Sequence, residues 1–340
     1  MNAAFWKGRS ALVTGGTGLL GGWLVQALVE RSCRVVVLVR DSAPNSALVR
    51  TGLANRVDIV QGSLCDIDVL RRTMAEYAVQ TVFHLAAQSQ VRVAKVDPVG
   101  TLEANVRGTW NVLEAARACH GVDVIAASSD KAYGESAVMP YREEHPLKGR
   151  YPYDVSKSCM DLVCGMYAAS FDLPVVVTRC ANLYGGGDLN FDRVIPGAIR
   201  ATLLDEHFVI RSDGRFVREY LYVEDATEAY LTLAEQLAGD PMLKGEAFNF
   251  GANDGRTVID VVRHILELLG RTDLQPIVLG QASSEIREQY LSADKAWARL
   301  GWRANVDFAE GLKRTTDWYR NYFRAAANRV EVAVRAESPA

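Results

Sequence analysis

Tyr153 and Lys157 stand four residues apart in YPYDVSKSCMDLVCGMYAASF, a stretch whose apolar spacing predicts a helix. At that separation both side chains leave the same helix face. An ammonium beside a phenol stabilises the phenolate and lowers its pKa. Tyr153 is therefore suited to take the proton from a substrate alcohol while hydride leaves the carbon that bears it. A second cluster lies upstream in ASSDKAYGE, residues 127–135, where two serines precede Asp130 and Lys131. Ser129 can hold the same substrate oxygen as Tyr153. Asp130 can donate a proton at neutral pH if a closed, apolar site raises its pKa. Lys131 reads two ways: neutral, it is a base; charged, it stabilises a developing enolate. The pair also fits a solvated strand end, and its surroundings must decide.

Those surroundings begin with an alternation of strand and helix. SALVTG, RVVVLV, VDIVQGSL, TVFHLAA and VDVIAASS read as strands; GWLVQALVERS, DVLRRTMAEY and the long TLEANVRGTWNVLEAARACH read as helices. This rhythm predicts an α/β protein with a doubly wound parallel sheet. Between the first strand and first helix, LVTGGTGLLGG places Gly15, Gly18 and Gly21 three apart, with Leu19 and Leu20 in the same turn. Small residues there let the backbone approach a dinucleotide pyrophosphate, and the helix N-terminus supplies free N–H groups. A carboxylate at the end of the second strand suits the adenosine ribose of NAD, and an arginine suits the 2′-phosphate of NADP. Here Arg40 and Asp41 follow RVVVLV. Arg40 favours NADP+, while Asp41 can still serve NAD+. Asp66, after GSLC, is placed to bind the adenine edge.

After LPVVVTRCANLYG the rhythm becomes irregular, and GGGDLNFDR reads as a loop. Residues 1–184 are expected to form the Rossmann domain, with the chain returning to it near 215–255, in particular at EAFNFG. Residues 185–325 are expected to form mainly a smaller substrate lobe. The tail 326–340 has no clear packing face and is expected to be poorly ordered.

A chain of 340 residues fits one large domain with a lobe grafted on it. Net charge is −3, with no basic surplus to hold nucleic acid. No apolar run reaches membrane-spanning length, and MNAAFWKGRS lacks a signal-peptide core. The six cysteines are scattered, without a C-x-x-C pair or an accompanying histidine cluster. Free thiols in a reducing cytoplasm, with no metal site, are the expectation.

TGxxGxxG near the start, HLAA at 84–87, SS at 128–129 and YxxxK at 153–157 together resemble the extended short-chain dehydrogenase/reductase family, from about residue 5 to 325. The resemblance implies a Rossmann domain, a C-terminal sugar-nucleotide lobe, and a homodimer formed through two helices, here at about 101–118 and 153–171. It adds Leu85, Ala86 and Ala87 to the cofactor contacts and Gln88 to the substrate contacts. Asn182 in RCANLYG, Arg193 in NFDRVIP and Arg218 in GRFVREYLYVED match positions that meet the substrate diphosphate, which a guanidinium suits by bidentate hydrogen bonding. Arg287 in EIREQYLS is a further candidate. One branch fits further: FWKGRSALVTG, SSDKAY, GRYPYDVSKSCMDL, GGGDLNFDRVIP and LGW are similar to the CDP-glucose 4,6-dehydratases. KAYGES and VREYLYVEDAT, in contrast, look like generic nucleotide-sugar epimerases and dehydratases.

The resemblance implies a nucleotide-diphosphate hexose as substrate and a 4-keto-6-deoxy sugar as product. Tyr153 would take the C4 hydroxyl proton as C4 is oxidised, the C5 hydrogen and C6 hydroxyl would be eliminated, and hydride would return to C6. Asp130 would be the acid at C6, and Lys131 the base at C5 or the enolate stabiliser. A 4-epimerase would use Ser129, Tyr153 and Lys157 alike and leave Asp130 incidental. A third reading, from another class, is an NAD(P)-binding regulator that has lost catalysis; intact Tyr153 and Lys157 argue against it.

Overall fold

A run of β-branched residues with no polar face has to be covered on both sides, and RVVVLV is such a run. A computed structural model of the chain describes residues 3–281 and 286–337, with side chains to 325. In it, Val35 to Leu38 are buried in the middle of a seven-stranded parallel sheet. The strands from the first half are β1 (Ser10–Thr14), β2 (Arg34–Val39), β3 (Asp58–Gln61), β4 (Thr81–His84), β5 (Asp123–Ala127) and β6 (Val175–Cys180). Their order is β6-β5-β4-β1-β2-β3, with strand Ala247–Phe250 added outside β6. The chain thus returns to the sheet at EAFNFG. The sheet runs outward from β1 in both directions, which opens a crevice beyond the carboxyl ends of β1 and β4, the switch point where such sheets bind ligands.

The segment read as one long helix is divided. Pro98–Leu102 is α-helical, Glu103–Arg107 makes a π turn, and Gly108–Cys119 continues as α-helix. The cause is Asn105, a buried residue whose side chain is drawn out of the regular ladder. Its Oδ1 accepts from the Gln88 N–H at 2.7 Å, and its Nδ2 donates to the Gln88 carbonyl at 3.0 Å and to Ser156 Oγ at 2.8 Å. The extra residue in the turn lets one amide serve the loop after β4 and the neighbouring helix at once.

That neighbouring helix is Pro152–Phe171, which carries Tyr153 and Lys157. It is tied to β6 by a buried ion pair: Arg179 Nε and Nη2 donate to Asp161 Oδ2 and Oδ1 at 2.8 and 2.9 Å. Arg179 Nη1 also donates to Tyr133 Oη and to the Glu143 carbonyl, at 2.9 and 3.1 Å, so every nitrogen of the guanidinium donates at least one hydrogen bond despite its burial.

The second half builds a small mixed sheet around strand Val217–Tyr222. Asn182–Tyr184 and Glu288–Gln289 pair with it in parallel and Gly255–Thr257 antiparallel. Helix Val223–Leu237 then crosses back to pack on helix Leu19–Glu30 and β5. Helix Phe308–Glu337 closes the chain; the side chains of the tail after 325, and all of 338–340, lie outside the described residues.

Candidate active site

The glycine turn is shaped by contacts that leave no room for side chains at Gly15, Gly16 or Gly21. Gly15 has φ +76°, and a Cβ there would sit 2.7 Å from the Ala86 nitrogen. A Cβ on Gly21 would run into the Gly15 carbonyl oxygen. Gly18 is different: it caps helix Leu19–Glu30 without any side-chain hydrogen bond, and the space around it is open apart from the Gly15 carbonyl. The first N–H groups of the helix are therefore left to a ligand, and the residues present fit a dinucleotide diphosphate.

The floor of this crevice is locked. The Ala86 N–H donates to Thr14 Oγ1 at 3.2 Å, and the Leu85 N–H to the Thr14 carbonyl at 3.2 Å. His84 bridges Thr14 Oγ1 and Thr109 Oγ1 at 2.9 and 3.0 Å. Burial, helped by the Lys157 charge, pushes the imidazole down to about 3, so His84 stays neutral and structural.

One cleft of about 1520 Å³ gathers nearly all the expected residues. Gly15, Gly18, Leu19, Leu20, Gly21, Arg40, Asp41, Leu85, Ala86, Ala87 and Gln88 line one end. Ser129, Asp130, Lys131, Tyr153 and Lys157 line the middle, and Asn182, Arg193 and Arg218 the other end. Two candidates fall outside the lining. Asp66 caps helix Ile67–Glu76, its Oδ1 accepting from the Asp68 and Val69 N–H groups at 3.1 Å, and Ser63, Leu64 and Cys65 line the cleft in its place. The Arg287 side chain is 76% exposed and leans toward Asp213 at 3.4 Å; its backbone carbonyl, rather than its guanidinium, meets Arg218.

At the end of β5 the chemistry-bearing groups close up. Ser129 Oγ donates to Asp130 Oδ1 at 2.9 Å and accepts from the Lys131 N–H at 3.2 Å. Asp130 is 2% exposed, and its Oδ2 is buried without a hydrogen-bond partner among the described residues. Lys131 Nζ donates to Gln289 Oε1 at 2.9 Å. Lys157 Nζ donates to the Ala127 carbonyl at 2.7 Å and lies 3.6 Å from Met160 Sδ. Burial pushes the Lys157 ammonium down to about 8.

The Tyr153 phenol departs from expectation. It is pushed up to about 12, first by burial and then by the Asp130 charge, while Arg193 and the hydrogen bond with Ser129 pull it down. The lysine on its own helix points to the strand carbonyl and does not offset the loss of water. In the protein alone Tyr153 is therefore a protonated phenol.

At the other end of the cleft Arg218 is buried, with Nη1 donating to the Val217 and Arg287 carbonyls at 2.8 and 3.2 Å. Arg193 pairs with the buried carboxylate of Asp188 at 3.0 Å, and Asn182 Nδ2 donates to the Glu219 carbonyl at 3.1 Å. Sequence reasoning missed Asn105, Glu219 and Gln289. Asn105 lies in a stretch that scans as plain helix, and the other two come from strands far along the chain, with no local pattern to mark them. Burial pushes the Glu219 carboxyl up to about 7, although it accepts from the Leu291 and Asn253 N–H groups at 2.8 and 2.6 Å. Among the described residues there is no cluster of His, Cys, Asp or Glu able to hold a metal, and no helix long and apolar enough to cross a membrane.

Residues 11–251 match the NAD dependent epimerase/dehydratase family. The chain belongs to that family. Within it, the chain is 31% identical over 338 residues to the CDP-glucose 4,6-dehydratase of Salmonella typhimurium, covering 94% of this chain and 93% of that one. It is 27% identical to the dTDP-D-glucose 4,6-dehydratase of Homo sapiens, over 95% and 96% of the two chains. A UDP-glucose 4-epimerase of Thermotoga maritima, solved with UDP-glucose, superposes with a TM-score of 0.84 at 28% identity, over 93% and 100% of the chains. A dTDP-glucose 4,6-dehydratase of Streptomyces venezuelae, solved with NAD bound, gives 0.83 at 29% identity, over 92% and 97%.

The two groups of the YxxxK pair should separate in experiment. Tyr153→Phe keeps the ring and should keep the fold, while turnover falls by about 10²- to 10⁴-fold, as for loss of a general base. Lys157 has a folded pKa near 8 against an ordinary 10.5, so its charge costs stability at pH 7 and that cost vanishes as pH rises across this window. Lys157→Met should therefore leave the unfolding midpoint of the cofactor-free protein at pH 7 unchanged or higher, and suppress turnover to a similar degree. Chemical denaturation beside steady-state rates checks both; a clearly less stable Lys157→Met protein contradicts the assignment.

Proposed function

We propose that this protein is a nucleotide-sugar 4,6-dehydratase, converting a nucleotide-diphosphate hexose to its 4-keto-6-deoxy derivative. The observation that carries the reading is Asp130: a buried carboxylate facing the cleft at the end of β5, with one oxygen left without a partner, beside Lys131 and Ser129. A carboxyl kept dry and half-bonded is suited to donate a proton to a leaving hydroxyl. The dehydratase relatives from Salmonella typhimurium and Homo sapiens support the same reaction class.

The glycine turn and the first N–H groups of helix Leu19–Glu30 would hold an NAD(P)+, which would supply a reversible hydride acceptor for the oxidation at C4 and the reduction at C6. The chain does the rest. Arg193 and Arg218 hold the substrate diphosphate with Asn182, and Gln88 supplies a further substrate contact. Ser129 and Tyr153 hold the C4 oxygen, and Tyr153 takes its proton; Lys157, one turn further along the same helix, serves that step as a buried cation. The C4 ketone acidifies C5–H. Lys131 serves that centre, and Asp130 protonates the departing C6 hydroxyl to water. A second reading, 4-epimerase, draws support from the Thermotoga maritima structure; it uses Ser129, Tyr153 and Lys157 and gives Asp130 no role.

We further infer a preference for NADP+, since the Arg40 guanidinium lies in the cleft at the end of β2, 2.6 Å from the Asp41 carboxylate. A homodimer is supported by the exposed apolar residues Leu102, Trp110, Leu162 and Met166, carried by the helices at 98–119 and 152–171.

The reaction is tested with Asp130→Asn, which keeps the size but cannot donate the proton. With a nucleotide hexose bound, it should still reduce its dinucleotide, read by absorbance, and release no dehydrated sugar by mass spectrometry. Full dehydratase activity in that variant, or an isomer as wild-type product, would favour the epimerase. For the cofactor, Arg40→Ala should weaken NADP+ binding about tenfold more than NAD+ binding in titration calorimetry; a wild type that binds NAD+ far more tightly removes the preference. For assembly, sedimentation should give twice the chain mass for the wild type and less for Leu162→Glu, and a monomeric wild type refutes the dimer.

A further inference from the structure

Among the described residues the Lys131 ammonium has one hydrogen-bond partner, and it is neutral. Gln289 Oε1 accepts from Lys131 Nζ at 2.9 Å, and among the described residues Lys131 forms no ion pair. Gln289 is fully buried, and its Nε2 finds no partner among the described residues. Buried amides are normally bonded at both ends, and leaving one donor unmade carries a desolvation cost. Because an ammonium has only donors, the amide must turn its oxygen to Lys131 and leave the nitrogen orphaned.

The surroundings offer carboxylates that could have taken that place. Asp130 is the preceding residue on the same turn. Asp154 faces Lys131 from helix Pro152–Phe171, and the Lys131 charge lowers its carboxyl against the raising effect of burial. Glu219, from strand Val217–Tyr222, feels Asp130 but spends its oxygens on backbone N–H groups. Arg218 and Tyr153 complete the charged and titratable neighbours. A carboxylate bonded to Nζ would hold the proton on the amine; an amide oxygen carries no charge, favours the ammonium far less, and still accepts from the neutral amine.

We infer that Gln289 is the positioning residue for Lys131: it aims the amine into the cleft through a neutral acceptor, so that the amine can give up and regain a proton. Resting on the dehydratase reading, this makes Lys131 the C5 base. Its nitrogen lone pair takes the C5 proton, the C5–H electrons form the enolate of the C4 ketone, and collapse of that enolate expels the C6 hydroxyl, which leaves as water with the Asp130 proton. The strand links this step to substrate binding, because Gln289 pairs in register with Arg218, which the proposed function sets against the substrate diphosphate.

Two variants of similar volume test the inference, with one readout that needs no turnover. In competitive acetylation followed by mass spectrometry, the pH at which Lys131 becomes reactive should rise by at least one unit in Gln289→Glu, whose carboxylate retains the proton. With substrate, Gln289→Met should reduce its dinucleotide at close to the wild-type rate, while C5 hydrogen exchange with deuterated water falls at least tenfold. In Gln289→Glu the acidic limb of the exchange profile should move up in step with the acetylation midpoint. An unchanged acetylation midpoint in Gln289→Glu overturns the inference, as does an equal fall of reduction and exchange in Gln289→Met, which marks a merely structural residue. A wild type that dehydrates no nucleotide hexose overturns the dehydratase reading and the C5 role with it, whereas the acetylation shift still decides whether Gln289 governs Lys131.

Discussion

The hydrogen bond from Lys157 to the Ala127 carbonyl fixes where everything else in the cleft can stand. It docks helix Pro152–Phe171 onto the carboxyl end of β5, one turn after Tyr153 and directly before the Ser129–Lys131 segment. Burying an ammonium is costly, and a single carbonyl does not replace its hydration. The helix bears that cost because the Arg179–Asp161 pair and the Asn105–Ser156 bond hold it from two other sides. The lysine stays in place with no ion pair among the described residues, held by that carbonyl and lying 3.6 Å from Met160 Sδ.

Desolvation then sets the electrostatics of the centre in a way that opposes the resting protein's own comfort. Tyr153 is held protonated, Lys157 has its charge disfavoured, and Asp130 keeps a buried oxygen unbonded. The first and the last of these would be relieved by a ligand of the right kind: a cation beside the phenol and a hydroxyl against the carboxyl. Groups arranged this way need little rearrangement when charge develops, which is the physical basis of preorganised catalysis.

The cleft is also where distant parts of the chain are made dependent on one another. Strand Val217–Tyr222 carries Arg218 and Glu219 on neighbouring positions. Glu219 gathers the backbone at Asn253 and Leu291, and its own carbonyl accepts from Asn182. The same strand pairs with Glu288–Gln289, which reaches back to Lys131 across 158 positions of sequence. Arg218, proposed to bind the diphosphate, and Gln289, proposed to position Lys131, thus share one small sheet, and movement at one would be felt at the other.

Local pattern alone determined the parallel sheet, the glycine turn, the Tyr153–Lys157 face and the strand-end cluster Ser129–Lys131, because each is written within a few residues and read through strand or helix period. It also marked Asn182, Arg193 and Arg218, through their resemblance to known motifs. What only the tertiary structure decided depends on which groups lose water together and which distant residues meet. The long helix was broken by a π turn because Asn105 is claimed by Gln88 and Ser156. Asp66 was taken by a helix cap, and Arg287 was turned outward. Tyr153 was pushed up and not down, since burial and Asp130 outweigh Arg193 and the Ser129 hydrogen bond, while Lys157 is drawn to the Ala127 carbonyl. Gln289 carries no signal of its own: a glutamine near a chain's end becomes a partner for Lys131 only when strand pairing seals it from water beside that amine.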